Sequence, residues 1–193
     1  MTWYVVDGLD GSGKSTAAEE LVRLLEADGR KVLVRTHPGD GSVFGRLSAR
    51  FLLIDGKAAT LAMSVFYFLD VLCSVRAMRR GGHDDTVFVR YLLETAYFPD
   101  RLYRVCGRVA SAVMAEPDVS VLLDIDPGKA MERITLRGEA LEVYENAVDL
   151  ERTRRHMLDL AGGWHVIDNN GTEAELREKV GRLYRETGEG RSR

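Results

Sequence analysis

The sequence predicts an α/β fold in three layers: a five-stranded parallel sheet with helices on both faces. Five short apolar runs, at residues 2–7, 31–36, 86–89, 119–125 and 165–168, alternate with longer segments of helical period. Such runs are apolar almost throughout, as strands buried on both faces must be. The chain has 193 residues, 45% of them hydrophobic, which is enough for one substantial core. No repeat or linker marks a second domain, so a single domain over 1–193 is expected.

Each element has a local reason. After the first run, Ala17, Leu21, Leu24 and Leu25 fall on one side of a helix that Gly29 ends. The second run leads to the loop Pro38-Gly39-Asp40-Gly41. A helix over 43–53 follows, with Ser42 as its cap, and then a longer one over 58–80 that stops at Gly81-Gly82. After the third run, residues 93–116 read as helical in pieces, broken near Pro99. Asp126-Pro127 places a capping residue before a proline at the first helical position. That helix carries Ala130, Arg133, Ile134 and Arg137 until the polar stretch 138–142 interrupts it, and helical period resumes over 143–161. Thr172 and Glu175 are spaced as a capping box for a last helix over 172–184, and residues 188–193 are expected to fray.

Composition excludes several classes. A net charge of -3 does not favour extended nucleic-acid binding, and the arginine clusters at 76–80 and 152–155 fall in helical patterns, as solvated faces do. Cys73 and Cys106 sit among apolar neighbours, so they are expected as buried thiols in a cytoplasmic, reducing setting. The apolar tract 61–75 is interrupted by Asp70 and is short for a bilayer, so a core helix is expected and no membrane partner. The four histidines show no metal-ligand spacing, and His37, His83, His156 and His165 read as loop, surface or strand residues.

The chemistry starts at Gly8-Leu9-Asp10-Gly11-Ser12-Gly13-Lys14-Ser15-Thr16, which fits G-x-x-x-x-G-K-[ST] between a strand and a helix. There, glycines allow successive backbone N–H groups to converge on a phosphate, and the helix N-terminus adds partial positive charge. Gly8, Asp10, Gly11, Ser12, Gly13, Lys14, Ser15 and Thr16 are therefore the expected ATP-binding residues. Lys14 would reach the β and γ phosphates, and Ser15, with Asp7 nearby, would serve Mg²⁺. No N-K-x-D guanine-recognising segment is present, and the chain is short for a motor ATPase. A small phosphotransferase fits better. Arg133 and Arg137, four residues apart on one helical face, are placed to neutralise a transferring phosphoryl group, with a lid at about 137–144.

Beyond the loop, the chain resembles thymidylate kinases over nearly its full length. The resemblance rests on residues 6–16, His37-Pro38-Gly39, Val89-Arg90-Tyr91, Leu123-Asp124-Ile125-Asp126-Pro127, Arg133, Arg137-Gly138-Glu139 and Tyr144-Glu145. It implies a P-loop kinase fold, transfer of the γ phosphate of ATP to dTMP with Mg²⁺, and a homodimer. It also implies that Arg90 holds the acceptor phosphate, that Asp10 approaches the acceptor and that Tyr67 stacks on the base. The acceptor would lie among Asp10, Pro38, Arg46, Arg50, Tyr67, Arg90 and Tyr97. The chain departs from the family at Val89, which replaces an acid, at His37, which replaces another, and at Val71, which replaces a base-reading arginine. The arginine expected at position 49 is alanine, with Arg50 beside it. At this point a kinase of another small phosphate acceptor and a nucleotide-binding regulator stay open.

Overall fold

In a computed structural model, residues 1–54, 56–137 and 147–189 are described. The strands are β1 (Thr2–Gly8), β2 (Val32–Thr36), β3 (Asp85–Val89), β4 (Val119–Asp124) and β5 (His165–Asp168). They form one sheet in the order β2-β3-β1-β4-β5, with every pairing parallel. The helices are α1 (Lys14–Ala27), α2 (Val43–Leu52), α3 (Lys57–Arg79), α4 (Tyr103–Val113), α5 (Pro127–Arg137), α6 (Ala147–Leu160) and α7 (Glu173–Glu189). A 3₁₀ helix spans Leu93–Tyr97.

The period of two along β1 divides the core. Tyr4 and Val6 pack with Val87, Val121 and Leu123 under Ala17, Leu21 and Leu25 of α1 and Leu176, Val180 and Leu183 of α7. Trp3 and Val5 face the other way, joining Phe88, Tyr91 and the α3 residues Val71, Val75 and Met78. A third cluster sets Leu122 and Ile125 against Leu93, Ala130, Ile134, Leu150 and Met157. β1 lies at the centre and is buried throughout, whereas the edge strands β2 and β5 are partly exposed.

The expected caps are present. Ser42 Oγ accepts from Gly45 N at 2.8 Å, and Thr172 and Glu175 bond reciprocally at 3.3 and 3.2 Å. Asp126 Oδ1 accepts from Gly128 N at 2.9 Å, and Gly29, at φ 75°, closes α1 in the left-handed region. By length and composition Ala58–Arg79 resembles a membrane span. Its Val71, Val75 and Met78 nevertheless lie in the core, and buried Asp70 holds a neighbouring loop.

Three expectations change. Residues 188 and 189 continue α7 instead of fraying. Cys73 is exposed and Cys106 half-buried, because an apolar sequence neighbourhood does not fix which helix face a residue takes. His37 and His156 are buried. His156 lies flat on Tyr103, with Nδ1 2.8 Å from the Ala96 carbonyl and Nε2 2.6 Å from Asp100, so it ties α6 to the segment before α4. The expected lid, apart from the backbone of Arg137, lies outside the described residues, as do residues 143–146 of the resumed helix.

Candidate active site

Parallel strands deliver their carboxyl ends to one rim of the sheet, and the chemistry gathers there. β1 ends in the glycine loop, β3 in Arg90, and β5 in Asp168 followed by Asn169. Gly11 and Gly13 have φ of 75° and 89°, values that favour glycine. A Cβ on Gly11 would stand 2.6 Å from the Ala130 carbonyl oxygen, so the loop is fitted against α5 as well as bent. Asn169 Nδ2 donates to Ser12 O at 2.7 Å, which closes the loop from the β5 side.

Lys14 is buried and donates to the carbonyls of Gly8 and Leu9 at 2.8 and 2.7 Å, with Asp10 Oδ1 at 3.3 Å. Asp10 also accepts from Tyr97 Oη at 2.7 Å and pairs with the Arg90 guanidinium. Burial alone would raise the Asp10 carboxyl. Arg90, Lys14 and the Tyr97 hydroxyl outweigh that effect and hold it far below the usual carboxylate range. Arg90 also approaches Glu94, with Nε 3.6 Å from Oε1.

The 3₁₀ period explains why Glu94 and Tyr97 face this cluster together. At three residues per turn, side chains at i and i+3 eclipse, so Leu93 and Ala96 enter the core while Glu94 and Tyr97 share the next face. Burial, against the opposing charge of Arg90, pushes the Glu94 carboxyl up to about 8. It also raises the phenols of Tyr67 and Tyr97 well above their ordinary value.

The other expected residues have the following surroundings. Asp7 is fully buried, and its carboxylate accepts from the backbone N–H groups of Gly8, Tyr91 and Leu93 at 3.0, 2.9 and 3.2 Å. Those bonds make it an organiser of the Arg90 turn. Arg133 donates to the carbonyls of Asn169 and Gly171 at 3.2 and 2.9 Å, with Gly11 O at 3.4 Å, so it bridges the glycine loop and the turn after β5. The α5 backbone carries Arg137 one turn further on. Arg46 and Arg50 lie on the exposed side of α2 and line a hollow of about 380 Å³ with Asp40 and Leu47. Arg46 donates there to Asp40 O at 2.7 Å.

Tyr67 Oη donates to Tyr91 O at 3.1 Å, and its ring meets that of His37 edge-on. Val71 is fully buried in the Trp3 cluster, and Val89 is buried on the other face. Sequence reading missed Asp70 and Asn169. Asp70 accepts from Gly39 N at 2.8 Å and Ser42 Oγ at 2.6 Å, and so sets the loop that carries Pro38. The one local signal was a charge in the middle of an apolar helix.

The donor set fits a nucleotide triphosphate. Gly13, the N-cap of α1, supplies no side-chain cap, and Ser12 Oγ is buried without a hydrogen-bond partner among the described residues. The Lys14 ammonium rests on backbone carbonyls, which a phosphate oxygen would replace with a full charge. Ser15 lies exposed on the first turn of α1, where a hydroxyl can reach a phosphate-bound Mg²⁺.

Comparisons with known proteins agree with this geometry. The family model described as thymidylate kinase matches residues 6–180. A thymidylate kinase of Xanthomonas oryzae pv. oryzae is 31% identical over 180 residues, covering 84% of this chain and 74% of that one. A thymidylate kinase of Rhodopirellula baltica is 29% identical over 191 residues, covering 91% and 76%. The solved thymidylate kinase of Candida albicans shares the fold at TM-score 0.73 and 18% identity, over 97% of this chain and 92% of that one. Matched over most of its length and carrying the phosphate loop, the Arg90 turn and the Asp10 network in one cleft, the chain belongs to the thymidylate kinase family.

Proposed function

We propose that this protein transfers the γ-phosphoryl group of ATP to dTMP, giving dTDP and ADP. The observation that carries the reading is the shared carboxylate of Asp10, which meets both Lys14 and Arg90. It joins a donor-side cation to an acceptor-side cation across one narrow gap.

The triphosphate would lie along Gly8, Asp10, Gly11, Ser12, Gly13, Lys14, Ser15 and Thr16, with Ser15 toward Mg²⁺. Bound Mg²⁺ would neutralise β and γ phosphate charge. Arg90 would hold two oxygens of the acceptor phosphate and so orient a third for in-line attack. Asp10 would then keep Tyr97 and Lys14 in register. Tyr67 and the Pro38 loop would border the nucleoside, with Arg46 and Arg50 contributing from α2. Arg133 and Arg137 would meet the transferring group as the segment at about 137–144 closes.

We further infer a cytoplasmic homodimer acting as one domain per chain, without nucleic-acid or membrane partners. The exposed stripe Leu61, Val65 and Leu72 on α3 supports a second copy as its cover. The test of function is ADP release from purified protein with Mg²⁺-ATP and each nucleoside monophosphate in turn. The expected result is turnover fastest with dTMP; turnover with another acceptor alone, or none, overturns the reading.

A further inference from the structure

Arg90 is the one residue other than glycine with a positive φ among the described residues, at 64°. An L-residue seldom rests there unless its neighbours hold it. Three groups hold this one. Arg90 N donates to Val6 O at 3.0 Å, which continues the β1–β3 ladder past its last paired residue. The following peptide is fixed by Asp7, which accepts from Tyr91 N and Leu93 N. The Arg90 carbonyl, between them, lies 2.9 Å from Nδ1 of His37.

A carbonyl oxygen can only accept, so Nδ1 of His37 carries the proton and donates. Burial lowers the imidazole pKa and so favours the neutral ring, in which Nε2 is an acceptor, buried and without a hydrogen-bond partner among the described residues. The ring is fully buried, edge-on to Phe88 at 5.1 Å and to Tyr67 at 6.2 Å. Its own backbone N–H donates to Val89 O at 3.0 Å, so β2 delivers the ring directly beside the turn. A buried polar ring with one used and one unused nitrogen is held for the bond it makes.

We propose that His37 is a positioning residue for acceptor recognition: its Nδ1–H holds the Arg90 carbonyl and thereby keeps the left-handed turn that aims the Arg90 guanidinium at the acceptor phosphate. Asp7 and His37 act as two jaws on the peptide joining Arg90 to Tyr91, one taking its N–H and the other its C=O. The proposal rests on the reading that Arg90 binds that phosphate. It adds that the aim of Arg90 is set by β2, an edge strand which otherwise contributes nothing to the phosphate loop.

Two isosteres separate this role from simple packing. Asn places an amide N–H near the Nδ1 position, and Gln places one near Nε2. The measurement is the dissociation constant of dTMP for the full-length protein by calorimetry, with an ATP analogue titrated separately to verify an intact donor site. His37→Ala and His37→Gln are expected to weaken dTMP at least tenfold, while His37→Asn restores it to within threefold of the parent. In an Arg90→Ala background, His37→Ala is expected to cost less than twofold more, because the guanidinium it positions is gone.

A full His37→Ala penalty in the Arg90→Ala background overturns the proposal, since His37 would then act on the nucleotide directly. So does His37→Asn binding no better than His37→Gln, or a parent-like His37→Ala. If His37→Ala loses the ATP analogue as well, the Asn and Gln pair decides. An Arg90→Ala protein with unchanged dTMP affinity overturns the acceptor-phosphate reading itself, and the proposal with it.

Discussion

The carboxylate of Asp10 and the guanidinium of Arg90 are paired across the cleft although 80 residues separate them in the chain. Asp10 sits in the glycine loop and Arg90 at the end of the neighbouring strand, so the parallel register of β1 and β3 makes the meeting possible. Tyr97 takes the other Asp10 oxygen and Lys14 shares the first. A charged group with so many polar partners does more than balance a neighbour. It sets the spacing between the two cations that a phosphoryl donor and a phosphate acceptor would occupy.

Asp10→Asn should therefore destabilise the protein as well as impair it. Removing one partner leaves Lys14 and Arg90 facing each other in a buried site, at a cost of about 3 kcal/mol. The folded-state pKa of Asp10 is depressed, so its contribution is present above the unfolded carboxylate range and is lost as pH falls toward the folded value. Urea unfolding at pH 7 and pH 3 checks this, with the gap between the two proteins narrowing at pH 3.

Glu94 has the opposite sign. Its folded pKa is raised to about 8 from 4.5, so the folded state binds the proton more tightly, and stability falls as pH rises from 4.5 through 8. Glu94→Gln, which is never ionised, should be more stable than the parent by about 4 kcal/mol at pH 8. At pH 4.5 the two should nearly coincide. Chemical denaturation across that range is the check.

Gly11→Ala strikes the glycine loop where it has least room. The new methyl group would meet the Ala130 carbonyl oxygen at 2.6 Å from a backbone at φ 75°. Neither a backbone carbonyl nor a left-handed turn yields easily, so a loss of about 1–3 kcal/mol is expected. ATP-analogue affinity should fall with it, and Tm with an analogue titration measures both.

Lys14→Met should leave the acceptor half intact. A preorganised cation removed from a phosphoryl-transfer site costs about 10²–10³-fold in kcat. The dTMP affinity should change by less than about threefold, a far smaller effect than that of truncating an acceptor-side charge. Steady-state ADP release and a dTMP titration separate the two effects.

What the sequence made legible was the part encoded locally. Apolar runs placed the strands, and 3.6-residue periods placed α1 and α7. Ser42, Asp126 and Thr172 marked helix starts because a cap acts within three residues of itself. Long-range partners were not legible. Nothing near His156 announces Ala96 and Asp100, and nothing near Arg154 announces the bidentate pair it makes with Asp124 at 2.7 and 2.9 Å. Asp7 illustrates the same gap, since nothing near the end of β1 announces that its carboxylate accepts from the backbone of Tyr91 and Leu93. Glu94 and Tyr97, three apart, share a face in either kind of helix, but nothing local announces that this face turns to Asp10 and Arg90.

Whether Arg90 receives the acceptor's phosphate beside the ATP site is tested most directly by comparing dTMP with thymidine. In the parent protein, dTMP should bind at least about 100-fold more tightly than thymidine, as charge-assisted bonds to a dianion from a partly buried guanidinium require. In Arg90→Ala that preference should fall below about tenfold while thymidine affinity stays within about threefold of the parent. A parent-like dTMP preference in Arg90→Ala would contradict the account.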